Sequence, residues 1–348
     1  MATLNRRTLL GYTGVAALTV AVLPALSSCN SVVTRLQGKP QPRDPAVRLT
    51  IAGAPAPPSA LLIHMSESDV LKEQSTLVEY ESWTNINKLK EAIEAGHVHA
   101  GMASTSALAA LKQQGAPVKL LDVFGWGILY VLAGEKEITG WDTLRGSKIG
   151  VVLRGSATDA VFTTLAAKAG LKNETNMVVR YSADPLEAGE TLRGKQVQAA
   201  VLSEPWVAIA IETSKQKKRE KPLYRAMDLQ EEWGALIGPK PRIPLVGFFV
   251  TDQLAAEHPE TVAALEASLS EAVSWAAANP DAAASIASEL SRQPAEVMAD
   301  SLAHTQIEAI PANQVREELD IFFNVLYDFN PELVGGALPD ESFYVGGD

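Results

Sequence analysis

The chain of 348 residues contains a single cysteine, Cys29. An internal disulfide is therefore excluded, and so are paired-thiol redox motifs and cysteine-rich zinc sites. Histidine is scarce at five residues, and only His97 and His99 stand close together. They alternate on a strand-like run with no third ligand nearby, so no metal site is expected. Positive charge is in deficit: 30 Lys and Arg against 41 Asp and Glu give a net charge of −11. Such a balance argues against a nucleic-acid partner, which needs basic stripes, but leaves room for a local anion site. There is no glycine-rich nucleotide loop, no Gly-x-Ser-x-Gly elbow and no His-Glu-x-x-His helix, so neither enzyme chemistry nor a cofactor has an anchor.

What is present begins at the N-terminus. Arg6 and Arg7 precede Thr8-Leu9-Leu10, and an apolar run without acidic residues follows from Val15 to Leu26. That run is too short to span a bilayer permanently and reads as an export signal over residues 1–28. The arginine pair resembles a twin-arginine signal; the general secretory route remains open, because any such signal needs positive charge. Leu26-Ser27-Ser28-Cys29 resembles a lipobox, in which Cys29 would be acylated and become the new terminus. Acyl chains would hold the protein on the outer face of a membrane without a spanning helix. Removing 28 of the 348 residues leaves 320, enough for roughly two domains, and takes two arginines away. Residues 29–46, with Pro40, Pro42, Pro45 and Gly38, read as a tether.

From Val47 onward the pattern alternates strand and helix, which predicts an α/β fold with a parallel sheet covered by helices. Strands are expected at 47–53, 76–80, 98–103 and 118–124, with helices at 58–72, 85–95 and 106–113. The pattern then repeats, with strands at 148–153, 177–181 and 197–202 and helices at 158–169, 186–192 and 205–215. The block from His97 to Ser104 lies over the block from Gln196 to Ser203, each after a glycine-ended helix and each ending in serine. Two similar lobes follow from this repeat. The apolar stretches Val118–Ala133 and Pro244–Val250 read as crossings between them. Residues 47–125 and 245–348 would form lobe 1 and residues 126–244 lobe 2. Beyond Tyr224 the alternation stops, and the Ala-rich helices after Pro259 would pack back on the first lobe.

Ligands of open parallel sheets bind beyond the carboxyl ends of strands, at helix N-termini. That rule selects six loops. Ser59 closes a proline-stiffened turn and offers a hydroxyl or simply caps a helix. Trp83 and Thr84 offer a flat apolar face and a hydroxyl, in a stretch that can also cap. Ser104 and Thr105 precede a helix with Ser106; one hydroxyl caps, and the others could meet an anion. Arg154, Gly155 and Ser156 combine a planar charge, a permissive backbone and a cap, or else a plain capped helix with Arg154 in solvent. Glu204 and Trp206 flank Pro205 at a helix start, where an acid also suits the dipole. Trp126 stands between Gly125 and Gly127 at a crossing, as an aromatic wall or a buried interlobe residue.

Several of these residues also carry a family resemblance. Leu202-Ser203-Glu204-Pro205-Trp206, Ser104-Thr105-Ser106, Arg154-Gly155-Ser156, the approach Asp142, Leu144, Gly146 and Lys148-Ile149-Gly150, and the ending Leu338 to Tyr344 resemble the nitrate/sulfonate/taurine class of periplasmic binding proteins. That class includes receptors for thiamine pyrimidines. The resemblance covers about residues 47–345. It implies a two-lobed, type II periplasmic-binding-protein-like fold that closes on a small solute, and partnership with an ABC-type permease and ATPase. Arg154 with the serine loops favours an oxyanion or sulfonate, whereas Trp83, Trp126 and Trp206 with Glu204 favour a flat nitrogen heterocycle. Two rivals stand beside the importer receptor: a solute-sensing module for a membrane receptor, and an enzyme of the fungal pyrimidine-synthesis type, whose cysteine-rich motif is absent here.

Overall fold

The first strand, β1 (Arg48–Gly53), alternates its side chains between two cores, as a strand with a period of two must. Leu49 and Ile51 enter one hydrophobic cluster, and Ala52 enters another. The computed structural model describes residues 48–75, 77–134, 137–216 and 222–347. The expected signal, Cys29 and the tether lie outside these residues.

After β1 the helix expected over 58–72 is split into α1 (Ser59–Ser66) and α2 (Asp69–Gln74). Between them Ser68 is extended, with φ −62° and ψ 134°, and its hydroxyl lies 3.3 Å from that of Ser268. Next come β2 (Leu77–Ser82), α3 (Ile86–Glu94), β3 (Ala100–Ser104), α4 (Thr105–Gln113) and β4 (Val118–Gly127). The chain then passes through Ile128 into β5 (Leu129–Ala133). The second set comprises β6 (Lys148–Val152), α5 (Ala157–Lys168), β7 (Val178–Ser182), α6 (Pro185–Arg193), β8 (Ala199–Ser203), α7 (Trp206–Gln216), β9 (Tyr224–Asp228) and α8 (Leu229–Leu236). The return and C-terminal part hold β10 (Val246–Thr251), α9 (Asp252–Glu257), α10 (Pro259–Ala278), α11 (Pro280–Ser291), α12 (Ala295–Ala303), β11 (Gln306–Pro311) and α13 (Arg316–Phe329).

Two sheets result. The first has the order β11-β4-β10-β3-β1-β2 and the second β7-β6-β8-β5-β9. Both are mixed, which corrects the expectation of parallel sheets. β1 pairs in parallel with β2 and β3, and β6 with β7 and β8, but β10 lies antiparallel to β3 and β4, and β5 lies antiparallel to β8 and β9. The reason is the crossings. A strand that leaves one sheet and enters the other arrives from the opposite end, so it can only pair antiparallel. β3 and β8, superposed by the sequence repeat, hold equivalent places: each sits between a central parallel strand and an incoming antiparallel one.

The alternation does not stop at Tyr224, because β9 and α8 follow it and β11 comes later. β5 lies within the stretch 118–133, where the change of sheet falls directly after Gly125-Trp126-Gly127 with no polar residue to mark it. An added Cβ at Gly127 would sit 2.2 Å from the Gln230 amide nitrogen and would displace the side chain that accepts from the Ile243 amide of the return segment. The return segment runs beside it, with the Ile243 and Leu245 amides donating to the Trp126 and Gly125 carbonyls, both at 3.0 Å.

Helices cover both faces of each sheet. α1, α2 and α10 bury Leu61, Leu62, Met65, Leu71, Leu265 and Leu269 against one face of the first sheet. α6 and α7 bury Leu192, Val207 and Ile211 against one face of the second. A single larger core joins the remaining faces through α3, α4, α5 and α13. The C-terminal helices do not pack on the first sheet's side alone: α12 lies on α7 and α13 on α5. Their apolar faces serve both sets, which a per-helix reading of hydrophobic spacing does not reveal. Among the described residues no helix is long and apolar enough to cross a membrane.

Candidate functional site

Side-chain caps set where several of the helices begin at the carboxyl edges of the strands. The Asn85 side chain accepts from the Asn87 and Lys88 amides at the start of α3, so the cap is Asn85 and Thr84 stays exposed. Ser104 caps α4 by accepting from the Ala107 amide at 3.2 Å, and its hydroxyl lies 3.3 Å from that of Ser106. Ser156 caps α5 through the Asp159 amide at 3.2 Å, and Asp184 caps α6 through the Glu187 amide at 2.9 Å.

Around the end of β3 the first sheet brings four predicted residues together. Ser59 is buried, donates to the Ala54 carbonyl and lies 3.5 Å from the Met102 sulfur. Trp83 is half-buried and its indole N–H donates to the Met102 carbonyl at 3.2 Å. Thr105, fully buried, donates to the Pro244 carbonyl at 2.5 Å and so ties this edge to the return crossing. Ser104 is exposed beside them. Two of the predicted hydroxyls, Ser59 and Thr105, thus spend their protons on the backbone.

On the second sheet Arg154, Gly155 and Ser156 follow β6. Gly155 adopts φ +79°, and the preceding Leu153 is itself left-handed at φ +52° with its side chain exposed. Arg154 is exposed, and its guanidinium carbon stands 4.4 Å from the centre of the Tyr181 ring. Ser156 donates to the Val152 carbonyl at 3.0 Å. Glu204, after β8, is buried, with its side chain 1% exposed. It is held by the Arg225 guanidinium at 2.5 Å, and it accepts from the Ala208 amide at 3.3 Å. Burial keeps its carboxyl above the usual carboxylate range although Arg225 pulls the other way.

Two predicted residues sit elsewhere. Trp126 is fully buried at the crossing; its indole N–H donates to the Glu308 carbonyl at 2.7 Å and Arg242 lies over its ring at 4.2 Å. Trp206 lines a groove of ≈ 160 Å³ between α6 and α7, with Leu186, Ile209 and Thr213. It shares that groove with helix side chains and not with Trp83.

The edges of the two sheets are linked through the C-terminal helices. Ala60 of α1 and Ala208 of α7 belong to one small cluster with Ala284, Ala287, Val297 and Met298 of α11 and α12. Asn330, just after α13, donates to the Gly155 carbonyl at 3.5 Å. Sequence reasoning missed Asp159, Tyr181, Arg225, Asp300 and Asn330. Only Asp159 left a signal, three residues after a serine cap. His97 and His99 hold no metal-like arrangement: His97 pairs with Glu81 at 2.9 Å and His99 Nδ1 accepts from the Thr50 amide at 3.1 Å. No cluster of metal-ligating side chains occurs among the described residues.

Two mixed sheets joined by paired crossings, each flanked by helices, define the two-lobed periplasmic-binding-protein fold. Residues 71–283, more than half of the chain, match the NMT1/THI5-like family, and the chain belongs to it. No curated protein sequence matches. Among solved structures, an ABC transporter protein from Parabacteroides distasonis is similar at a TM-score of 0.68 and 17% identity, covering 85% of this chain and 98% of that one. The periplasmic aliphatic sulphonate-binding protein SsuA from Escherichia coli gives 0.62 and 17%, covering 81% and 92%. The periplasmic nitrate-binding protein NrtA from Synechocystis PCC 6803 gives 0.58 and 15%, covering 82% of each chain.

Proposed function

We propose that this protein is the solute-binding receptor of an ABC-type importer and carries out no catalysis. A small organic solute, a sulfonate or oxyanion on one side of the choice and a nitrogen heterocycle on the other, would be held between lobe 1 (47–125 and 245–348) and lobe 2 (126–244). The observation that carries this reading is the pair of strand-edge loop sets tied to the same C-terminal helices, through the Ala60–Ala208 cluster and Asn330. Trp83, Ser104, Arg154, Gly155 and Ser156 are the proposed wall, with Ser59, Thr84, Thr105, Trp126, Glu204 and Trp206 as its supports and rim. Residues 1–28 would direct export, Cys29 would carry the lipid, and the permease and ATPase would receive the solute. Similar structures named for sulphonate and nitrate binding support the class of function, not the solute.

A thermal-shift screen of sulfonates, oxyanions, pyrimidines and vitamins tests the reading, because a solute that binds the folded state raises its apparent stability by mass action. One chemical class should raise the melting temperature, and Trp83→Ala should remove that rise while leaving the solute-free protein folded. A screen in which no class acts, or a rise that Trp83→Ala leaves intact, sinks the proposed site. The sensing alternative is separated by uptake: deleting the gene should abolish import of the bound solute.

A further inference from the structure

The loop that follows β6 already contains an anion. Asp159, on the first turn of α5, is 1% exposed. One carboxylate oxygen accepts the Gly155 amide at 2.9 Å. The other accepts the hydroxyls of Thr163 at 3.1 Å and Tyr181 at 3.2 Å. The Ser156 proton is committed as well, since that hydroxyl donates to the Val152 carbonyl while accepting from the Asp159 amide. The Gly155 amide and the Ser156 hydroxyl, the donors of this loop nearest to Arg154, therefore turn inward. The favourable end of the α5 dipole is matched by a side chain of the protein itself. Arg154 remains outside, but it lies over the ring of Tyr181, whose hydroxyl is bonded to Asp159. An oxyanion drawn to Arg154 would meet a fixed negative charge one phenol ring away and would find the Gly155 amide, the Ser156 amide and the Ser156 hydroxyl already donated within the protein.

We infer that Asp159 sets the charge selectivity of the site: the wall formed by residues 154–156 takes an uncharged solute group, such as a neutral nitrogen heterocycle, and rejects small oxyanions of the sulfonate, sulfate and nitrate kind. The inference rests on the receptor reading above and narrows it. Arg154 then presents a planar cation backed by an aromatic ring, a surface suited to a flat ring, and not the charged half of an anion clamp.

Calorimetric titration of the full chain with methanesulfonate, sulfate and nitrate, and with cytosine as an uncharged probe, tests this. The wild type should show no saturable binding of the three anions. Asp159→Asn keeps the side-chain shape while removing the charge, and should strengthen methanesulfonate binding by on the order of tenfold or more. Adding Arg154→Gln to that variant should abolish the gain, which a merely loosened loop would not do. Wild-type binding of methanesulfonate tighter than about a millimolar would overturn the inference, even if the variant failed to fold. So would a folded Asp159→Asn protein that gains nothing. The receptor reading is judged separately, by whether any solute binds the wild type: a gain in the variant with no wild-type ligand would leave the charge rule standing and remove the receptor.

Discussion

Two arginine clamps flank the crossings between the sheets, and they differ in what backs them. On one side Arg225 of β9 forks onto Glu204 and reaches Asp300 of α12 at 2.8 Å, with the ring of Tyr130 at 5.5 Å. On the other, Arg242 forks onto both oxygens of Glu318 in α13, at 2.5 and 2.7 Å, and lies over Trp126. Each joins the second sheet or its return segment to a C-terminal helix over an aromatic ring. Yet the acids respond oppositely. Burial keeps Glu204 above the usual carboxylate range even with Arg225 beside it. Burial also opposes the charge of Glu318, but the Arg242 fork and then Lys240 outweigh it and bring that carboxyl below its usual range. The lesson is that an ion pair's geometry does not fix its worth; the balance between the acid's burial and the number of cations facing it does.

The sharpest way to break the comparison is to remove Arg225. Arg225→Met would leave Glu204, with 1% of its side chain exposed, as an uncompensated buried charge. A loss of about 3–5 kcal/mol in unfolding free energy is expected. The loss should shrink in acid, where Glu204 takes a proton, and most of it should return in the double variant Arg225→Met/Glu204→Gln. Chemical denaturation across pH reads both. A loss of no more than about 1–2 kcal/mol, the size expected at the second clamp, would show that the two clamps are alike after all.

A buried acid with no arginine sharpens the contrast. Asp122 in β4 is 1% exposed, and one of its carboxyl oxygens has no hydrogen-bond partner. Burial first, and Glu266 second, push its carboxyl from the ordinary 3.8 up to about 7. Well below its ordinary 3.8 the group is protonated folded and unfolded, and contributes no pH dependence. As pH rises from about 4 to about 7 the unfolded chain releases the proton and the folded chain keeps it, so stability falls through that window. Asp122→Asn should remove this slope and stabilise the protein above neutrality by up to roughly 4 kcal/mol. An unchanged slope between pH 4 and 7 in the variant would show that Asp122 is not its source.

The distribution of these charges explains what the sequence could and could not disclose. The repeated strand-helix pattern was legible because it is local: β1 and β6 each carry buried apolar residues on both faces, and glycine ends the helix before each of the superposed blocks. Loop hydroxyls were legible as caps for the same reason, and Ser104 and Ser156 do cap. What stayed hidden was long-range. Arg225 lies in a five-residue strand, Tyr224–Asp228, with no marked alternation, and its partners are 21 and 75 residues away. Asp159 stands in plain view beside Ser156, but its capture of the Gly155 amide needs the folded turn, and its Tyr181 partner arrives 22 residues later. β5 follows β4 with only Ile128 between them and no polar residue from Val123 to Ala133, and hydrophobicity alone cannot mark a change of sheet.

The smallest effect is expected at the second clamp, and its reason tests the whole contrast. Glu318 has a second cation: Lys240 stands 3.4 Å from it, with 57% of its own side chain exposed. Removing Arg242 therefore does not strand the carboxylate, although its side chain is only 8% exposed, since Lys240 can take over as its cation. Arg242→Met should cost about 1–2 kcal/mol, much of it the lost fork and the lost packing on Trp126. Lys240→Gln alone should change stability by no more than about 0.5 kcal/mol, as exposed pairs do. The double variant should lose more than the two single losses added together, because only then is Glu318 left without a cation. Strict additivity in that cycle would mean that Lys240 offers no reserve. The difference between the clamps would then rest on burial of the acid alone.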